Sequence, residues 1–166
     1  HQSGHIKKIK NDPGKEKIQG KNDQGRRLQS GHQHDQCKSF RSSNRKQIIF
    51  DAEPVLVVSV HQNSYQDSSV CGPQVFYYED SVRGKNLAEF IQEELNLGLK
   101  VKRPRVAKGN KTYYLLKRSE SVLNIVECGF LTNPEEAGLL CKEEYQNKIV
   151  EAIVKGIEQY LKQQKI

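Results

Sequence analysis

Two short stretches, far apart in the chain, each place a residue with metal-binding or acid–base chemistry directly after an apolar run. Residues 57–64 read VVSVHQNS and contain His61, and residues 125–133 read IVECGFLTN and contain Glu127. A histidine can ligate a metal and a carboxylate can move a proton. Each run has the length and hydrophobicity of a strand that is covered on both faces. Because ligands meet open α/β sheets at the carboxyl ends of the strands, we expect His61 and Glu127 to share a cleft.

The elements that would position these two residues alternate between strands and helices. Residues 55–60 and 75–78 have the apolar character of short strands. Apolar residues between 87 and 95 recur at helical spacing, which predicts a helix that ends near Gly98. Asn133 followed by a proline is typical of a helix start, and a last helix is predicted to bury apolar side chains between 145 and 160. The alternation predicts an α/β fold with a mostly parallel sheet flanked by helices.

The N-terminal segment differs in composition from the rest of the chain. Residues 1–50 contain 12 Lys and Arg but 4 Asp and Glu, whereas residues 51–166 contain 15 and 16. The excess of positive charge therefore lies in the first segment, which has few large apolar residues. Such a segment buries too little apolar surface to offset the entropy lost on ordering. We expect residues 1–43 to be a polar, basic and disordered segment and residues 44–166 to form the folded part.

The motifs around His61 and Glu127 resemble those of a known enzyme family. Ser-Val-His-Gln-Asn-Ser at residues 59–64 is similar to the Ser-Ile-His-x-Asn-Ala motif of zinc-dependent N-acetylmuramoyl-L-alanine amidases (amidase type 3). Residues 126–133 resemble that family's Val-Glu-x-Gly-Phe-Leu-Ser-Asn motif, and residues 71–78 resemble a strand of its germination-specific, spore-cortex members. The resemblance covers residues 44–161 and implies that residues 44–166 are the C-terminal two-thirds of an amidase catalytic domain.

The resemblance implies a reaction and roles for the two residues. The family hydrolyses the amide between N-acetylmuramic acid and L-alanine in peptidoglycan, with zinc as Lewis acid. It implies that His61 is a zinc ligand and that Glu127 is the general base. It also implies peptidoglycan as the partner, a part in sporulation and an extracytoplasmic or cell-wall location; the chain itself shows no export signal and no membrane span.

Two of the three zinc ligands that the resemblance implies have no match in this chain. The family has a histidine in an Asp-Pro-Gly-His-Gly-Gly motif and a glutamate about a dozen residues later. Here His5 keeps only the Gly-His pair, Asp12-Pro13-Gly14 has no neighbouring histidine, and His32 and His34 lie in a polar tail. Since catalytic zinc needs three protein ligands, we expect the chain as written to hold zinc poorly and to be impaired as an amidase. The family's N-terminal strands would be absent or scrambled.

A frame shift is one explanation for the missing motifs. Read one nucleotide out of phase with ordinary codon choices, residues 21–28 can give the Arg-Met-Thr-Arg-Glu sequence of a family strand. Residues 38–43 can give Lys-Ala-Ser-Asp-Leu-Gln, after which Asn44-Arg45 rejoins the family pattern. We therefore hypothesise that residues 1–43 are a frame-shifted fragment of the domain's own N-terminal half. Sequencing of the gene region tests this.

Other interpretations stay open beside the amidase. A non-catalytic relic could still bind peptidoglycan, and the basic segment could bind nucleic acid without sequence preference, although it contains one aromatic residue, Phe40, and no binding motif. The basic stretch 100–111 is a solvated loop or, alternatively, the rim of a groove for an anionic glycan peptide, with Arg103 and Arg105 as candidates. The cysteines are not spaced as metal ligands, so we expect free thiols.

Overall fold

The computed structural model describes residues 5–10, 17–21 and 44–164. The chain order begins with strands β1 (His5–Lys10) and β2 (Lys17–Lys21), helix α1 (residues 44–52) and strand β3 (Leu56–Asn63). Strand β4 (Gln74–Tyr78), helix α2 (Val82–Gly98), strand β5 (Lys108–Asn110) and helix α3 (Tyr114–Arg118) follow. Strand β6 (Val122–Phe130) and helices α4 (Pro134–Leu140) and α5 (Glu143–Gln163) complete it.

The six strands form one sheet in the order β2-β1-β3-β6-β4-β5. Strand β3 pairs with β6 in parallel and β4 pairs with β5 in parallel, whereas the β1–β2, β1–β3 and β4–β6 pairs are antiparallel. The α/β class with flanking helices is confirmed, but the sheet is mixed, so the prediction of a mostly parallel sheet is wrong. The reason is the link from β3 to β4, which has no crossover helix, so β4 returns antiparallel.

Each face of the sheet is covered. On one face, α2 and α5 pack over a large core that includes Val58, Val126 and the fully buried Tyr160. On the other face, Ile49 of α1 and Leu116 of α3 pack against Val57 and its neighbours. Burial on both faces explains the apolar runs in β3 and β6. These two central strands of the sheet carry His61 and Glu127.

Part of the N-terminal segment is ordered as strands. Strands β1 and β2 form an antiparallel pair, and β1 lies along β3 with His5 opposite Val60. The prediction that residues 1–43 are disordered is therefore wrong for His5–Lys10 and Lys17–Lys21. The edge of β3 offers backbone hydrogen-bonding groups, which β1 satisfies despite its polar composition. The remaining residues of that segment, including His32 and His34, lie outside the described residues.

Candidate active site

His61 and Glu127 lie side by side on neighbouring strands. Strands β3 and β6 run in parallel, and in their register His61 is the partner of Glu127. Residues 57 and 125, which precede them at even spacing, belong to the core cluster under α1 and α3. By strand alternation, both side chains therefore point to that same face. The register shifts between His61 and Asn63, and Asn63–Phe130 is the last pair of the two strands, so His61 and Glu127 lie near the carboxyl ends, as the sequence predicted.

The His61 ring is held in a neutral form. Its Nε2 atom lies 2.6 Å from the Ser59 hydroxyl oxygen on the same face of β3. Burial of the ring, together with the charge of Arg45, lowers the pKa of His61 to about 4. At neutral pH the imidazole is therefore uncharged, which is the form that can ligate a metal through a ring nitrogen.

The Glu127 carboxyl group has the opposite shift. Burial raises the pKa of Glu127 to about 7, and its Oε2 atom is buried without a hydrogen-bond partner in the described structure. A carboxyl group with a pKa near the working pH can both accept and return a proton. Burial at this site thus lowers the pKa of His61 and raises the pKa of Glu127, and both shifts favour the neutral form.

Two further residues face this site. Arg45 on α1 affects the pKa of His61, and its Nε atom is buried without a partner. Burial, and secondly the charge of Glu127, raise the pKa of Tyr113, which precedes α3. Sequence reasoning treated Arg45 only as part of a resemblance and overlooked Tyr113. The available signal for Arg45 was its position four residues before the apolar Ile49, on the same helical face.

The described residues do not provide a complete zinc site. Catalytic zinc takes three protein ligands and keeps one open position. Among residues 5–10, 17–21 and 44–164, no three His, Cys, Asp or Glu residues are grouped so that they could hold a metal ion. His61 and Glu127 are two suitable groups, and the orphaned Glu127 Oε2 shows that the site lacks a partner for its carboxylate. The residues present therefore do not fit a zinc centre by themselves.

A second buried carboxylate fixes the loop that follows Glu127. Glu136 on α4 accepts hydrogen bonds from the backbone N–H groups of Gly72 at 2.7 Å and Phe130 at 2.8 Å. The side chain of Asn133 caps α4 by accepting from the Glu136 N–H at 3.0 Å. At Gly129 a Cβ atom would lie 3.3 Å from the Glu136 carboxyl group. The end of β6 and the segment before β4 are thus joined through one side chain.

Arg105 has a structural role. Its guanidinium donates two hydrogen bonds to the Cys71 carbonyl, at 2.8 and 3.1 Å, and lies 5.4 Å from the centroid of the Phe130 ring. Asn96 holds the backbone of Arg105 from α2. Two of its five N–H donors are therefore bound within the fold, and the alternative that Arg105 lines a rim for an anionic ligand stays a prediction. Arg103 remains exposed on the same loop.

A separate cavity lies at the opposite end of the sheet. It has a volume of about 550 Å³ and is lined by Phe50, Pro54, Arg118 and Val122, among other residues. Val122 begins β6, whereas Glu127 lies near its end. This cavity is therefore separate from the His61 and Glu127 site. The described cysteines Cys71, Cys128 and Cys141 are free thiols, as expected.

The fold and the paired residues define the class: an α/β domain with a neutral histidine and a carboxyl group of raised pKa near the ends of two adjacent parallel strands. The sequence profile of the family described as N-acetylmuramoyl-L-alanine amidase matches residues 15–159. The chain therefore belongs to the N-acetylmuramoyl-L-alanine amidase family. The profile match begins at residue 15, whereas the resemblance in motifs begins at Asn44.

Individual relatives agree with this assignment. The chain is 36% identical over 116 residues to the germination-specific N-acetylmuramoyl-L-alanine amidase of Bacillus subtilis. The aligned region covers 70% of this chain and 48% of that protein. The CwlD amidase from Clostridioides difficile, solved in complex with the GerS lipoprotein, has a TM-score of 0.70 and 40% identity, covering 72% and 61% of the two chains. The amidase AmiC2 of Nostoc punctiforme has a TM-score of 0.66 and 30% identity, covering 72% and 65%. The chain thus spans about half the length of its first curated relative.

Proposed function

We propose that this chain carries the C-terminal part of a domain that hydrolyses the amide between N-acetylmuramic acid and L-alanine in peptidoglycan. Residues 44–166 form that part, with His61 as a metal ligand and Glu127 as the general base. The observation that supports this most directly is the pairing of His61 with Glu127 at the carboxyl ends of β3 and β6. Family membership supplies the substrate class.

Glu127 performs the proton transfers in this proposal. With its pKa raised to about 7, the carboxylate takes a proton from the attacking water. The carboxylic acid then returns the proton to the amide nitrogen as the bond to L-alanine breaks. The neutral His61 ring, fixed by Ser59, keeps a nitrogen lone pair for a metal.

We further propose that this chain, as written, is impaired as a zinc amidase. A zinc ion bound in the family's manner would lower the pKa of its water to about 7, but the described residues do not supply the two further ligands that would join His61. Zinc dependence therefore requires donors beyond His61 and Glu127. We retain the hypothesis that residues 1–43 result from a frame shift of the domain's N-terminal half.

Zinc content and hydrolysis test this proposal together. The purified chain is dialysed with zinc, its metal content is measured by mass spectrometry, and release of L-alanine peptides from N-acetylmuramoyl peptides is followed. We expect far less than one zinc per chain and little turnover, and we expect His61→Ala to remove the zinc that does bind. The Bacillus subtilis relative is the positive control. A full equivalent of zinc that survives His61→Ala would contradict the assignment of His61.

A non-catalytic protein that binds peptidoglycan is the second candidate. The absence of a three-ligand group among the described residues favours it. Sedimentation with purified cell wall, with and without zinc, distinguishes the two: a relic binds without cleaving. We expect action outside the cytoplasm, at the cell wall, and no nucleic-acid binding. In the described part of the chain no helix has the length and hydrophobicity to cross a membrane.

A further inference from the structure

Arg45 is a partly buried cation whose Nε atom has no acceptor in the described structure. Its Nε atom is buried and has no hydrogen-bond partner, and the ion pairs found among the described residues involve lysines only. A guanidinium is charged at every pH at which the protein is folded. Burying the Nε–H donor of this group without an acceptor is costly unless a ligand supplies that acceptor.

The topology brings Arg45 to the carboxyl ends of the central strands. Helix α1 ends at residue 52, and β3 begins at Leu56. Ile49 of α1 packs in the same cluster as Val57 near the start of β3. Since the connection is short, α1 must run antiparallel to β3. Arg45 lies one helical turn before Ile49 and therefore nearer to His61. The influence of its charge on the His61 ring agrees with this placement.

The orphaned groups in the described structure are concentrated at this site. Of four buried side-chain atoms without partners, two are Arg45 Nε and Glu127 Oε2, which face the same side of the sheet. The other two, on Asn124 and Tyr160, lie elsewhere in the core. An unpaired guanidinium donor whose charge reaches His61, the strand partner of Glu127, matches a ligand that presents an anionic oxygen near this pair. Guanidinium groups pair well with carboxylates because of their planar, charge-assisted hydrogen bonds.

We propose that Arg45 is a specificity-determining residue that binds a carboxylate of the peptide attached to the muramoyl group. This inference rests on the proposed function, because it takes the substrate to be a muramoyl peptide. Arg45 selects acidic peptides and orients the amide bond toward Glu127. Lys46, which is exposed on the same helix and lines the cavity at the opposite end of the sheet, does not take part.

Binding of a defined pair of probes tests this role without any need for turnover. The probes are N-acetylmuramoyl-L-alanyl-D-glutamic acid, which has two free carboxylates, and its uncharged diamide. Affinities are measured by calorimetry with the zinc-free chain. We expect the wild type to bind the acid at least about tenfold more tightly than the diamide, and Arg45→Gln to abolish this preference while leaving diamide binding unchanged. Arg45→Lys should retain part of the preference.

The matched control is Lys46→Gln, which removes the same charge from the neighbouring position and should behave like the wild type. Equal binding of the two probes by the wild type would overturn the proposal. So would an equal loss in Lys46→Gln and Arg45→Gln, or a parallel loss of both probes in Arg45→Gln. Preference for the acid without hydrolysis would support the role of Arg45 and agrees with the impaired activity that we expect of this chain. Hydrolysis without preference would contradict only the role of Arg45.

Discussion

At the scale of single residues, the site combines two opposite shifts in pKa. Burial keeps His61 neutral and keeps a proton on Glu127 up to about pH 7. Because burial without partners opposes ionisation of the Glu127 carboxyl group, this group reduces stability at neutral pH, where it would be ionised in the unfolded chain. The neutral His61 ring has no such cost at neutral pH, since it is uncharged in the unfolded chain as well.

Replacing Glu127 by glutamine should reveal this cost. The pKa of Glu127 rises from 4.5 in the unfolded chain to about 7 in the folded protein. Its contribution to stability is therefore fully present below pH 4.5 and is lost as the pH rises through 7. Glu127→Gln should match the wild type at pH 4 and be more stable by on the order of 2 kcal/mol above pH 7.5, since one pKa unit corresponds to about 1.4 kcal/mol and the site is partly open to water.

Urea denaturation at several pH values measures this difference. Glu158→Gln, an exposed position on α5, is the control and should show no such pH dependence. An advantage of Glu127→Gln that does not grow between pH 4 and 7.5 would show that the carboxyl group is not buried in its acid form.

The sequence predicted the two central site residues but not their surroundings. His61 and Glu127 could be identified because each follows an apolar strand, and strand ends are where sheets present chemistry. Arg45 and Tyr113 come from helical segments that pack over the face of the sheet, and their approach depends on tertiary packing. The sequence also does not show that Arg105 binds the Cys71 carbonyl, because that contact joins two loops far apart in the chain.

At the scale of elements, the end of β6 depends on α4. Glu136 uses both carboxylate oxygens as acceptors, one for Gly72 and one for Phe130. A glutamine at this position has one acceptor oxygen, and its amide donor would meet a backbone N–H group. The side chain therefore couples the segment after Glu127 to the segment before β4 by charge and shape together.

Glu136→Gln should loosen this connection. One buried N–H group loses its acceptor, which costs about 1–3 kcal/mol. We expect lower stability to urea and faster amide exchange at either Gly72 or Phe130. Glu135→Gln, on the exposed side of α4, should change stability by a few tenths of a kcal/mol at most. Unchanged protection of both amides in Glu136→Gln would contradict the assigned role.

The packing of α2 on α5 requires a glycine. A Cβ atom added at Gly156 would lie 2.6 Å from the Ile91 Cα atom, so the two helix backbones are in close contact. Gly156→Ala should destabilise the protein by roughly 1–3 kcal/mol or more through overpacking. Gly138→Ala on α4 meets nothing within 4 Å and should be neutral or stabilising by up to about 1 kcal/mol. Thermal unfolding of the two variants compares them, and equal melting temperatures would contradict this close approach.

Helices were predicted better than sheet topology. The periodic apolar residues gave α2 and α5, and Asn133 with Pro134 gave the start of α4. The stretch 113–116 was read only as a short apolar run, but most of it lies in α3. The direction of β4 depends on the path of the segment between Asn63 and Gln74, and the sequence of that segment does not indicate this path.

At the scale of the whole molecule, β1 and β2 complete one side of the sheet. Without them the edge of β3, a strand at the centre of the core, would expose a row of unpaired backbone groups, and such edges promote aggregation. The N-terminal segment supplies this cover although its composition is polar. Its contribution to stability comes from backbone pairing, in which Lys8 is opposite Val57 on one side and Gln19 on the other.

Lys8→Pro tests whether this cover stabilises the protein. Proline removes the backbone donor of residue 8 from a strand that is paired on both sides, and it is poorly tolerated there. We expect a loss of about 3 kcal/mol, together with concentration-dependent aggregation measured by light scattering. Lys8→Thr removes the same charge but keeps the backbone donor and favours a strand, so it should unfold like the wild type. If Lys8→Pro were as stable and as soluble as Lys8→Thr, the pairing of β1 with β3 would contribute nothing to folding.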